Sequence, residues 1–120
     1  MSTPKSRVMA ARRKQLWIGM VEVRPLSGKS ELLGETKGAF VNIVTWALDA
    51  EQYRHNAELV IGGLGGLFVS DVLNSEAVED RRARAGSELD ESIEGLILRA
   101  QSNPNAILYG SFHLFEKDDA

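Results

Sequence analysis

Four stretches of this chain, residues 16–24, 40–48, 67–73 and 107–115, read as strands that carry apolar side chains on both faces. A sheet that is apolar on both sides has to be covered on both sides. Only two amphipathic helices are legible between these stretches, and each presents a single apolar stripe. Two such helices can roof one side of a four-stranded sheet. The expectation is therefore that the other side meets a second chain, a ligand or water.

In the first stretch Trp17, Gly19, Val21 and Val23 alternate with Leu16, Ile18, Met20 and Glu22, until Pro25 stops the pattern. The second stretch, from Phe40 to Trp46, is dense in β-branched and aromatic residues. A helix is expected to follow. Asp49 suits its N-cap, and Gln52 three residues later can close a capping box. Ala50, Tyr53, Ala57, Val60, Ile61 and Leu64 recur at helical spacing, and the glycines of 62–66 offer the C-cap. A third strand spans 67–73, and a long connection runs over 74–86. Ser87 is expected to cap a second helix whose stripe is Leu89, Ile93, Leu96, Ile97 and Ala100. Residues 102–105 form a turn cluster ahead of the last strand. The order β-β-α-β-α-β implies an α+β two-layer sandwich: a four-stranded mixed or antiparallel sheet with two helices on one face.

Charge divides the chain. Lys5, Arg7, Arg12, Arg13 and Lys14 put +5 on residues 1–15, so a total of −3 leaves −8 on residues 16–120. The reading is a basic leader over 1–15, a single α+β domain over 16–116 and an acidic tail over 117–120. An acidic domain repels the phosphate backbone of nucleic acid. No run approaches the ~18 apolar residues of a membrane span, so a cytoplasmic protein is expected. The chain has no cysteine, which excludes disulfides and thiolate metal sites.

Several segments resemble chemical motifs without meeting their requirements. Gly28, Lys29 and Ser30 have the ending of a phosphate-binding loop, but Val23 stands where the motif needs glycine, and no helix follows. The glycines of 62–66 close a helix, whereas a dinucleotide fingerprint opens one. His55 has Glu51 and Glu58 within helical reach, a spacing that suits a solvated face as well as a metal. No catalytic residue, cofactor or metal is expected. The candidate interaction residues lie in two places. On the last strand, Tyr109, Ser111, His113 and Phe115 should share the uncovered face, with Leu108, Phe112 and Leu114 on the helix side. In the long connection, Arg81, Arg82 and Arg84 could pair bidentately with carboxylates or phosphates.

Trp17 in an apolar first strand, the run Ala39-Phe40-Val41-Asn42 and the run Gly110-Ser111-Phe112-His113 resemble small bacterial α+β proteins, some of the toxin-immunity type. That resemblance implies an acidic domain that occludes a basic toxin. The functional expectation is a non-catalytic module acting by stoichiometric contact with a protein partner or as a homodimer. The alternative is a small dimeric enzyme or ligand-binding protein with a pocket near His113 and Tyr109.

Overall fold

The structure is a computed structural model that describes residues 13–26, 37–85 and 89–115. Residues 1–12 of the leader, most of the connection after Pro25, Ser87 and residues 116–120 lie outside the described residues. Strands β1 (Gln15–Pro25), β2 (Gly38–Ala47), β3 (Leu67–Ala77) and β4 (Ile107–Phe115) form one sheet. Its order is β3-β1-β2-β4, and every neighbouring pair is antiparallel. Three helices accompany it: α1 (Ala50–Leu64), α2 (Val78–Ala85) and α3 (Glu91–Gln101). The chain is thus α+β with the expected strand number and order, plus one additional helix.

Helix α1 starts as its sequence dictates. The Asp49 carboxylate accepts from the Gln52 backbone N–H at 2.9 Å, and the Gln52 side chain accepts from the Leu48 N–H at 2.7 Å. The reciprocal half of the capping box therefore reaches one residue further back than the cap itself. The helix ends at Gly65, whose φ of 88° is open to glycine and strained for other residues.

The helices divide between the two faces of the sheet rather than sharing one. Along β1 and β2, Val21, Val23, Ala39, Val41, Ile43 and Ala47 pack with Tyr53, Ala57 and Ile61 of α1. The alternate residues Leu16, Ile18 and Val44 pack with Leu96, Ile97 and Ala100 of α3. Ile18 lies directly opposite Val44, and Val21 opposite Val41, so the register assigns one set to each side. This is the physical reason that the strands are apolar on both faces: each side receives one helix. The stripe expected for the second helix holds, but α3 begins at Glu91 with Asp90 at its N-cap position.

The remaining difference lies in residues 74–86. Here β3 runs on to Ala77, and 78–85 is the helix α2 instead of a loop. The sequence VEDRRARA has almost no apolar stripe. Val78 alone enters the α3-side core, and the helix is held through its arginines. Among the described residues, no helix is long and apolar enough to cross a membrane.

Buried polar groups are tied to backbone. The Tyr53 hydroxyl donates to the Ile43 carbonyl at 2.8 Å, and burial pushes its pKa up. Thr45, buried at the sheet's centre, donates to the Ala106 carbonyl at 3.0 Å and accepts from the Asn56 amide at 3.1 Å. The Trp46 indole N–H is shared between the carbonyls of Ala100 and Asn103, each at 2.9 Å, which fastens the end of α3 to β2.

Two glycine substitutions test this packing in opposite directions. A Cβ on Gly19 would lie 2.9 Å from the Tyr53 hydroxyl and 3.0 Å from the Ser75 backbone. Gly19→Ala should therefore lower stability by about 1–3 kcal/mol. A Cβ on helical Gly62 meets nothing within 4 Å. Gly62→Ala should raise stability by about 0.5–1 kcal/mol. Urea unfolding midpoints of both variants check the pair.

Candidate interaction surface

Each face of the sheet is covered by one helix only in part, and the uncovered parts meet at β4. Helix α1 leaves Tyr109 and Leu114 of β4 at 37% and 53% exposure on its side. Helix α3 sits over the end of the sheet that holds Leu16, Ile18, Val44 and Leu108. The opposite end of that face carries Phe40, Phe115, Arg24 and Glu22, all half-buried, with exposed His113 and Phe68. The Phe40 and Phe115 rings lie 5.1 Å apart, and the Arg24 guanidinium lies 5.2 Å from the Phe115 ring. Arg24 also pairs with Glu22 at 3.1 Å, and Glu22 accepts from the Ser70 hydroxyl at 2.9 Å.

The four β4 residues expected on one face do not all share it. Ile43 pairs with Tyr109 but Val41 pairs with Phe112, so Gly110 and Ser111 together stand opposite Asn42. This extra residue is a β-bulge, and it reverses the alternation beyond it. Ile107, Tyr109, Phe112 and Leu114 consequently face α1, and the Tyr109 and Phe112 rings lie 5.7 Å apart. Ser111, His113 and Phe115 face the other way, with Leu108. The structure thus brings Ser111, His113 and Phe115 together and separates Tyr109 from them. Phe112 and Leu114 stay on a helix side as expected, while Leu108 crosses to the α3 side.

Three clefts bounded by described residues have neither Tyr109 nor His113 in their lining. The largest, about 500 Å³, lies between β1, α2 and α3 and is floored by Trp46 with Lys14, Glu79 and Arg82 around it. Among the described residues no group of three His, Cys, Asp or Glu side chains could hold a metal ion. Glu58, which could have joined His55, is paired with Arg54 at 3.0 Å.

The arginines of α2 are engaged within the chain. Arg84 grips Glu76 with two bonds of 2.6 and 2.7 Å, and Arg81 bonds the same carboxylate and the Asn74 carbonyl. Arg82 grips Glu94 of α3 at 2.6 and 2.9 Å. These forks raise the pKa values of Arg82 and Arg84 and lower that of Glu94. The hydrogen bonds from Arg84, then those from Arg81, hold Glu76 at about 2, well below the usual carboxylate range. Read from sequence as a long connection whose arginines could pair with carboxylates, this segment is a helix whose arginines clasp the end of β3 to α3. Sequence order offered one signal for it. Glu79 and Asp80 open the segment and Arg82 and Arg84 close it, the arrangement a helix dipole favours.

A carboxylate whose folded pKa is depressed adds stability that is present above its unfolded pKa and lost as pH falls through the folded one. Glu76 should therefore contribute fully above pH 4.5 and lose its contribution between about 4.5 and 2. Its side chain is 19% exposed, and screening holds the contribution to about 1–2 kcal/mol. Glu76→Gln should lower stability at neutral pH by that amount and flatten the acid limb, as read from unfolding midpoints across this range.

No family model, curated protein or solved structure matches this chain.

Proposed function

We propose that this chain is a non-catalytic module that acts by stoichiometric contact with another protein. The observation that carries the reading is the uncovered surface at β4. Its apolar and aromatic side chains lie at a sheet edge, on both faces, without a described element beyond it. Tyr and His there supply an apolar body with a wet tip, as contact surfaces favour. The narrower form is an immunity-type protein that covers a basic surface of a bacterial toxin. It draws support from the −8 carried by residues 16–120. The alternative of a small enzyme with a pocket near His113 and Tyr109 needs the two side chains on one side of the sheet. The bulge at Gly110 and Ser111 counts against it.

Purification of the tagged chain from its native host at low salt tests the module. The expected outcome is one protein retained at a fixed molar ratio. Tyr109→Asp or His113→Asp should reduce its retention at least about tenfold, a loss of about 1.4 kcal/mol. Since each residue probes a different face, the stronger effect identifies the side in contact. Retention of no protein at low salt, or retention by both variants as strong as by the unmutated chain, would sink the assignment to β4.

A further inference from the structure

The two edges of the sheet are not alike. Strand β3 carries Asp71 and Glu76, a left-handed Asn74 with φ 55°, and two breaks of register against β1. Charges and irregularities of this kind blunt an edge against pairing with another chain. Strand β4, ILYGSFHLF, has no charged residue and no proline from end to end. Past its bulge, residues 112–115 run in regular register with Val41 to Gly38. Among the described residues, no strand pairs with the outer side of that half of β4.

We propose that β4 pairs antiparallel with β4 of a second copy about a two-fold axis at His113, joining two sheets into one of eight strands. The proposal rests on the reading of this surface as a contact module and names its occupant. Across such an axis each sheet keeps its α1 side on the same side, so only residues of like face can stand opposite one another. An axis at His113 meets this condition. It sets Phe112 against Leu114 of the second copy, and the reverse, on the α1 side. On the other side it sets His113 against its own counterpart and Ser111 against Phe115.

The exposed Leu114 of each copy is thereby covered by the Phe112 ring of the other, a favourable cross-strand pair. No like charges meet along the strand, because the strand holds none. A second copy presents the same uncharged edge, so the pairing requires no complementary charge. The pairing also places the two Phe40–Phe115 clusters on one face, on either side of the His113 pair. With the axis at His113 the strand pairs over residues 111–115, five residues at ~3.3 Å or about 17 Å, and its contact falls short of the ~800 Å² per partner of stable interfaces. The dimer is therefore weak and concentration-dependent.

Sedimentation of the purified full chain across about a hundredfold range of concentration, with amide hydrogen exchange at both extremes, is the test. The expected result is a mass that rises from monomer towards dimer, with exchange at residues 112–115 slowing as it does. Leu114→Lys, at an exposed position, should raise the dissociation constant at least about tenfold. Leu59→Lys, at an exposed position on α1 away from the sheet, should leave it unchanged. A monomer at every concentration overturns the proposal. So does a dimer that Leu114→Lys leaves intact with no change in exchange along β4. A monomer that still retains another protein through β4 overturns self-pairing alone, and a dimer that retains no other protein overturns the wider module reading alone.

Discussion

Everything in this molecule hangs on the antiparallel pair of β1 and β2, which is buried on both faces. Ile18 and Val44 are fully buried on one side, and Val21 and Val41 are fully buried on the other. A strand in that position has no solvent face to set its orientation cheaply, so its register is held by two cores at once. Strand β3 then adds to the outside of β1 and β4 to the outside of β2, and each helix docks where the apolar side chains of one parity concentrate. Left at the periphery are the two edges and the parts of each face that one helix does not reach.

The two edges receive opposite treatment from the same electrostatics. On the β3 side Glu76 gathers Arg81 and Arg84, and Arg82 reaches across to Glu94, so four charged groups and a fifth are consumed in fastening α2 between β3 and α3. Bidentate forks of this kind fix geometry as well as charge. The β3 edge is thereby closed, charged and irregular. Strand β4 itself holds no charge to do the same, and it ends beside aromatic rings and an exposed leucine. The asymmetry leaves one edge fastened by ion pairs and the other uncharged.

Much of the fold was legible. The Asp49 and Gln52 capping pair, the glycine that ends α1 and the stripe from Leu89 to Ala100 all rest on interactions within a few residues, and local spacing reports such interactions well. The candidate site was less legible. Alternation along β4 groups Tyr109 with His113, and that inference fails at a bulge created by the partner strand, where two residues stand against Asn42. Helix α2 escaped for a related reason. Its stability comes from Glu76 and Glu94, which lie outside the helix, and hydrophobic periodicity carries no trace of such pairs. Only the order of acids before bases along 79–84 hinted at it.

By itself the sequence determined the number, kind and order of the principal elements, because these follow from periodicities of two and 3.6 and from caps that residues make with near neighbours. It also determined that both faces of the sheet would be apolar. Only the tertiary structure decided that each face takes one helix. That choice depends on which parity of β1 and β2 each stripe meets across the sheet. Only tertiary structure decided, too, which β4 side chains share a face, since a single unpaired residue in the ladder turns every later side chain over.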